Sequence, residues 1–223
     1  NRGTNSVAGS LSKIDPTTGN VTTAFTDPAG KGLHGMAFDG TNIWATNTTQ
    51  GHVYKINPAD GSVLLDISIY SPKAVLFDGT NIWISQEQST GIFKLDPADG
   101  STLRTVSAGG KSYGLAFDGT HIWSSTNTTP GVVKKIDAIG SADPVTITSS
   151  IGNGLRGIGF DGAYIWVASY NGNSVSKIDP ADSTVIQTIT YPSGTSPNAL
   201  GFDGTNIWVS NYNANTVSKI VPL

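Results

Sequence analysis

Apolar and polar residues alternate with a period of two along most of the chain, in short runs broken by Gly, Asp, Asn and Pro. One stretch shows the pattern in full: Gly157-Ile158-Gly159-Phe160, Tyr164-Ile165-Trp166-Val167-Ala168, Ser174-Val175-Ser176-Lys177-Ile178, then Thr184-Val185-Ile186-Gln187-Thr188-Ile189. Short runs rich in β-branched and aromatic residues predict strands. Asp161-Gly162 separates the first two, and Asp-Gly favours a tight hairpin. Asp179-Pro180-Ala181-Asp182 separates the last two, where proline pre-sets the φ of a turn. No stretch carries the 3.6-residue period of an amphipathic helix. The expected unit is a four-stranded antiparallel meander, strands A to D, of about 40 residues.

That unit repeats. Phe-Asp-Gly recurs at Phe38, Phe77, Phe117, Phe160 and Phe202, at intervals of 39 to 43 residues. Each copy leads to Ile-Trp, at Trp44, Trp83, Trp123, Trp166 and Trp208. A Lys-Ile/Leu-Asp/Asn-Pro string or a relative of it follows at Lys55, Lys94, Lys135, Lys177 and Lys219, with an extra copy at Lys13. Four-stranded units at this period describe propeller blades. The sequence therefore predicts an all-β chain, a β-propeller of four-stranded antiparallel blades. Residues 1–223 form one domain, with repeats starting near residues 31, 70, 110, 153 and 195 after a partial repeat in 1–30. Strand A occurs five times, which favours five blades. The last unit, Asn198–Ile220, has no strand D, while Asn20–Phe25 reads as an orphan strand D. The N-terminal strand would join the last blade and close the ring, leaving no open edge there. Asn1–Val7 resembles Asn211–Val217, as though the chain began at the end of a strand B. Six blades, or a part of a larger ring, is the alternative.

Composition narrows the function. The 223 residues carry 13 Lys and Arg against 16 Asp and Glu, a formal charge of −3. Such a balance supplies no basic face for nucleic acid. No apolar run is long enough to span a membrane. Cysteine is absent, which removes disulfides, thiolate metal sites and cysteine nucleophiles together. Polarity comes from Ser, Thr, Asn and Gly, a composition associated with secreted and bacterial surface proteins, so the expected location is extracellular or at the cell surface. Residue 1 is Asn and no signal pattern follows, so a processed chain, an excised domain or a fragment is expected.

Subtracting the repeat leaves the residues that the fold does not need. The Phe-Asp-Gly aspartates read as hairpin turns and the tryptophans as packing between blades. The Asp-Pro-Ala-Asp-Gly segments lack the further spacing of a calcium loop and read as turns. His121 takes a hairpin slot and reads as an exposed turn residue, and His52 sits at a loop with no evident partner. Strand A differs. Its first position reads His34, Lys73, Tyr113, Arg156 and Asn198, followed two residues on by Met36, Val75, Leu115, Ile158 and Leu200. Alternation puts these on one face. The other face is small, with Gly35, Ala37, Gly114, Ala116, Gly157 and Gly159, so inner strands can approach closely and the first position lies at the mouth of the central channel. The third and fourth residues past each Trp reach the same side: Asn47 and Thr48, Gln86 and Glu87, Thr126 and Asn127, Ser169 and Tyr170, Asn211 and Tyr212. One rim varies and the opposite rim is monotonous, as on a repeat scaffold with a binding face.

The expected ligand-binding residues are thus His34, Lys73, Tyr113, Arg156, Asn198, Asn47, Glu87, Asn127, Tyr170 and Tyr212. Lys and Arg can hold an anion, His can act as a base near neutral pH, Glu87 can pair with either, and tyrosine rings can stack on a sugar. The partner classes are a glycan, a small anionic ligand or a protein, with no cofactor and no metal.

Units of the form Gly-x-x-Phe-Asp-Gly-x-x-Ile-Trp-Val-x-Asn…Val-x-Lys-Ile-Asp-Pro resemble the propeller superfamily that holds the virginiamycin B (streptogramin) lyases. They also resemble bacterial surface propellers with YVTN- and NHL-type repeats. The resemblance covers nearly the whole chain and implies the fold; the superfamily includes lyases, other enzymes and binding scaffolds. In the lyases a catalytic histidine starts a strand A in a Pro-His-Gly-like context, the slot of His34 in Leu33-His34-Gly35-Met36. The lyase glutamate lies shortly after the Trp of the same unit, where Asn47 stands here. Glu87 belongs to the neighbouring unit and is displaced by one position, and a second histidine and metal-binding carboxylates have no match. The leading expectation is a non-catalytic propeller that binds through its varied rim. The alternative is a lyase or hydrolase centred on His34, with Glu87 and Lys73, and with magnesium as its cofactor.

Overall fold

The computed structural model describes residues 8–222 apart from Ser141 and Ser149. The first pair of strands is β1 (Ser10–Ile14) and β2 (Val21–Thr26). A four-stranded sheet follows, β3 (Leu33–Phe38), β4 (Ile43–Asn47), β5 (His52–Ile56) and β6 (Val63–Ser68). The next is β7 (Pro72–Phe77), β8 (Ile82–Gln86), β9 (Gly91–Leu95) and β10 (Thr102–Ser107). Then come β11 (Ser112–Phe117), β12 (His121–Thr126), β13 (Val133–Asp137) and β14 (Val145–Ile147). The last four-stranded sheet is β15 (Leu155–Phe160), β16 (Ile165–Ser169), β17 (Ser174–Ile178) and β18 (Val185–Thr190). The chain ends in a three-stranded sheet, β19 (Pro197–Phe202), β20 (Ile207–Asn211) and β21 (Thr216–Ile220). Within each sheet, chain neighbours are sheet neighbours, and among the described residues there is no helix. The meander read from the period-two pattern is the observed unit. Contacts gather the described residues into two compact units, one running to Ser89 and taking in Phe93–Thr105, the other holding Thr90–Ile92 and everything from Val106 onward.

The segment read as an orphan strand D is β2. It pairs antiparallel with β1, Phe25 opposite Leu11 and Val21 opposite Ile14. Lys13-Ile14-Asp15-Pro16 fills the slot that Lys55-Ile56-Asn57-Pro58 fills at the end of β5, so β1 and β2 are the third and fourth strands of one unit. The partner of β2 is therefore its own third strand, where the sequence expectation gave it the last blade. The Asn1–Val7 similarity lies outside the described residues.

The repeated residues are spent on one another. Asp39 accepts the Thr41 and Asn42 N–H groups at 2.9 and 2.6 Å on one carboxylate oxygen and the Trp44 indole N–H at 2.7 Å on the other. The same indole bond joins Asp78 to Trp83, Asp118 to Trp123, Asp161 to Trp166 and Asp203 to Trp208, each at 2.7 Å. The aspartate thus closes the turn and fixes the wedge of the unit in a single contact set. Gly40 follows at φ 94°, left-handed backbone that a side chain rarely adopts. Lys55 lies across from Trp44 in the ladder. Its Nζ sits 5.7 Å from the indole centroid and donates to the Pro97 carbonyl, in the turn of the next sheet, at 2.7 Å. Lys135 repeats this with Trp123 and Pro180.

Three of the tryptophans fill the space between their own sheet and the next. Trp44 packs with Val75, Ile82 and Leu95, Trp123 with Ile158, Ile165 and Ile178, and Trp166 with Ile207 and Val209. Trp208, in the final sheet, is 41% exposed.

This wiring predicts an acid limit. Burial pushes the Asp39 and Asp118 carboxyls up, but the backbone and indole donors outweigh it and hold both below the ordinary carboxylate value. Asp203 is lowered chiefly by the Trp208 indole. A depressed folded pKa gives stability that is complete above the unfolded value of about 3.9 and is lost as pH falls through the folded value. The melting midpoint, followed by circular dichroism, should not change on account of these groups between about pH 7 and 5, where their contribution is complete, and should fall steadily below about pH 4. A midpoint unchanged down to about pH 2 would contradict this account.

Candidate functional site

The end of the sheets opposite the Asp-Gly turns is built on a repeated irregularity. Leu33 lies opposite Asn47 and Met36 opposite Ala45, so β3 carries one extra residue at His34-Gly35. The same bulge falls between Pro72 and Val75, Ser112 and Leu115, Leu155 and Ile158, and Pro197 and Ala199. A bulge unpairs a backbone group and re-aims side chains. Here the freed N–H goes to a hydroxyl two residues past the tryptophan: Gly35 to Thr46 at 2.8 Å, Ala74 to Ser85 at 2.9 Å, Gly114 to Ser125 and Ala199 to Ser210 at 3.1 Å. Ala168 stands in that slot of β16.

Thr46 donates onward to the Lys73 carbonyl at 2.8 Å, and Ser125 donates to the Arg156 carbonyl. One hydroxyl thus ties strand A of its own sheet to strand A of the next and sets the backbone that carries the variable residue. The expected close approach is present: a Cβ on Gly35 would lie 2.6 Å from the Lys73 oxygen. The expected shared face of His34 and Met36 is corrected by the bulge, because alternation does not carry across it. Met36 is 62% exposed, whereas His34 lines a cleft.

In the first unit, Lys31, His34, Thr48, Thr49, Lys73 and Glu87 line an open cleft of about 290 Å³. His34, Lys73 and Glu87 are therefore brought together. Lys73 Nζ lies 2.8 Å from Glu87 Oε1; the lysine side chain is 5% exposed and the glutamate 32%. The Glu87 N–H donates to the Ser71 carbonyl at 2.9 Å, pinning the loop after β8 to the start of β7. Asn47 does not join them. It is fully buried, donates to Asp27 Oδ2 at 2.6 Å and accepts the Gln50 N–H at 2.9 Å. Tyr54 donates to the other Asp27 oxygen at 3.0 Å, and burial together with Asp27 raises the Tyr54 pKa. Asn47 is thus a structural post beneath the rim and no ligand contact. Among the described residues no three His, Cys, Asp or Glu side chains cluster as a metal site. The carboxylate of this cleft faces an ammonium, so these residues do not fit the magnesium of the lyase alternative.

In the second unit, Arg156 on β15 is the centre. Its Cζ lies 3.3 Å from the Tyr170 ring centroid and 5.4 Å from that of Tyr113. Nη1 donates to Asn198 Oδ1 at 2.9 Å, and Nε is buried without a hydrogen bond. The Tyr170 and Tyr212 rings are tilted at 6.0 Å, and the Tyr170 hydroxyl donates to Asn213 Oδ1 at 3.4 Å. Tyr113, Arg156, Tyr170, Asn198 and Tyr212 thus form one aromatic and cationic platform. Asn127 follows β12, half-buried, with its N–H bound to the Lys111 carbonyl at 2.9 Å.

Two histidines depart from expectation. His52 starts β5 and bonds Asp66 at 2.7 Å while stacking on Tyr54, and His121 starts β12, half-buried, 3.5 Å from Asp118. Sequence reasoning also missed Thr46, Ser85, Ser125 and Ser210 as acceptors of the bulge N–H groups. Their signal was a hydroxyl residue two past the tryptophan in four of the five units.

Four-stranded antiparallel meanders, with repeat tryptophans wedged between successive sheets inside each unit, define a β-propeller repeat protein. The fold is that of the streptogramin lyases. A catalytically inactive histidine-to-alanine variant of virginiamycin B lyase from Staphylococcus aureus, solved with quinupristin, superposes with a TM-score of 0.78 at 17% identity, over 96% of this chain and 78% of that one. A streptogramin B lyase gives 0.76 at 17% identity, over 97% and 77%. No protein-family model and no curated protein matches the sequence.

Proposed function

We propose that this chain is a non-catalytic, ligand- or partner-binding propeller module of a secreted or surface protein, and that it binds through the bulged ends of its A strands. One observation carries the reading. The bulges present residues that no template contact consumes, whereas the opposite end is spent on the Asp–Trp and Lys–Pro links. The Lys73–Glu87–His34 cleft and the Arg156 platform are the binding elements, and cations framed by aromatic and amide groups suit a glycan or a small anion.

The alternative, a lyase or hydrolase centred on His34, draws on the shared cleft of His34, Lys73 and Glu87 and on the lyase fold. Against it stand the buried Asn47 in the glutamate slot and a Glu87 already engaged by Lys73. Blade number belongs to the same proposal. A blade has one third strand, and β1 and β21 each fill that place, which supports the six-blade alternative over five.

The test is a glycan array with a panel of small anions, run beside incubation with quinupristin. Binding is expected to fall about tenfold in Arg156→Ala or Lys73→Met, the loss of one charge-assisted hydrogen bond, and quinupristin should be recovered intact. Binding unchanged in both variants would sink the site, and quinupristin conversion lost in His34→Ala would replace the reading with the enzyme.

A further inference from the structure

The connection from β6 into β7 carries a second cleft in the first unit, of about 370 Å³, beside the Lys73–Glu87 cleft. The two share Thr48, Thr49 and Glu87. Its volume falls at the small end of the range of about 300–1,000 Å³ for small-molecule sites. Gln50, Tyr70, Ser71, Glu87 and Gln88 give it its chemistry.

An exposed ring on a fixed backbone sets this lining apart from an ordinary polar surface. Tyr70 is 66% exposed, a large ring held at the lip of a cleft. Its backbone is fixed: Gln86 Nε2 donates to the Tyr70 carbonyl at 2.6 Å, and the Ser71 carbonyl takes the Glu87 N–H. Ser71 itself adopts φ 49°, as Ser196 does at the matching place before Pro197 with φ 54°, so the connection is held in a left-handed turn. The Ser71 side chain is buried, and its Oγ has no hydrogen-bond partner. A buried hydroxyl without a partner is a rare event that asks for a reason.

We infer that this cleft is a saccharide site which takes one pyranose ring. The inference deepens the proposed binding function, and rests on it, by naming the ligand class of the adjoining surface. A pyranose has an apolar C–H face and a girdle of hydroxyls that both donate and accept. The Tyr70 ring supplies the flat apolar surface for the first. Glu87 accepts from hydroxyls, and the Gln50 and Gln88 amides donate and accept. Tyr70 and Gln88 already touch, with the phenol donating to Oε1 at 3.5 Å. That long bond is readily given up to a ligand hydroxyl. Glu87 links the two clefts, so a sugar seated on Tyr70 has its neighbouring substituent beside Lys73.

Saturation-transfer NMR on the full chain tests the site, with methyl glycosides of glucose, galactose, mannose, N-acetylglucosamine and glucuronic acid as probes. At least one glycoside is expected to receive saturation. Its affinity should drop about tenfold in Tyr70→Ala, from loss of the stacking surface, and less in Tyr70→Phe. Because Tyr70 is exposed, Tyr70→Ala should melt at the wild-type temperature, which separates loss of the site from loss of the fold. No transfer to any glycoside would overturn the inference, as would binding that is indifferent to Tyr70→Ala. Should glycoside binding instead vanish with Lys73→Met or Arg156→Ala while ignoring Tyr70→Ala, this cleft is refuted and the wider binding function stands. Should only a non-sugar anion bind, at Lys73, the saccharide class is refuted by itself.

Discussion

Trp123→Ala is expected to destabilise the protein by about 3–5 kcal/mol, the cost of emptying a large aromatic site in a packed core. Trp123 is fully buried and packs with Val133, Ile158, Ile165 and Ile178 from four strands beyond its own. Truncation removes the wedge between two sheets and leaves a void that flat strands cannot collapse to fill. It also takes the indole donor from Asp118 and the ring from beneath the Lys135 ammonium, 5.5 Å away. Trp208→Ala keeps the same chemistry and loses the packing argument. Trp208 makes the same bond to Asp203 but is 41% exposed, so about 1–2 kcal/mol is expected from its partial burial. Urea denaturation of both variants measures the difference, and the midpoint of Trp123→Ala should fall further at an unchanged slope. Equal losses at the two positions would mean that the tryptophans act within their own sheets and do not wedge neighbours apart.

That contrast shows why the fold could be read from the sequence. The Phe-Asp-Gly, Ile-Trp and Lys-Ile-Asp-Pro strings each carry a local reason for their residues, and the reasons recur: a turn closed by Asp, an indole held by the same Asp, a lysine laid across the indole. Period-two alternation then gives the strands. Much of the candidate cleft and platform was legible too, because His34, Lys73, Arg156 and Glu87 are residues that the template does not use.

What could not be read depends on register. A bulge is a property of two strands together, and neither Leu33-His34-Gly35 nor Asn47 announces it. Its presence re-aims the variable residue and frees the N–H that Thr46, Ser85, Ser125 and Ser210 take up. Asn47 failed as a ligand for a related reason. Its place in the sequence matches Gln86 and Asn211, but its partner is Asp27, which lies in another sheet connection and has no counterpart in the repeat. Tyr70 and Ser71 fell outside the template comparison because they sit in the D-to-A connection. There the positive φ and the orphan hydroxyl appear only in three dimensions.

The Lys73–Glu87 pair should respond unequally to losing either end. Glu87→Gln leaves an ammonium that is almost wholly buried without the carboxylate 2.8 Å away. Breaking a fully buried pair costs about 3–5 kcal/mol, and the one-third exposure of Glu87 lets water repair part of that loss, so about 2 kcal/mol is expected. Lys73→Met leaves a carboxylate that solvent already reaches and fills the lysine slot with an apolar chain of similar length, so about 1 kcal/mol or less is expected. The double variant Lys73→Met/Glu87→Gln should regain most of what Glu87→Gln loses, a coupling that a double-mutant cycle in urea reads directly. The cleft answers in the opposite sense. Glu87→Gln raises its net charge by one while Lys73→Met lowers it, so a probe anion such as citrate should bind Glu87→Gln more tightly than wild type at low salt, with the gain shrinking as ionic strength rises. If Glu87→Gln proves as stable as Lys73→Met and leaves citrate affinity unchanged, then the lysine is held by its other contacts, and Glu87 sets neither the stability nor the charge of this end of the molecule.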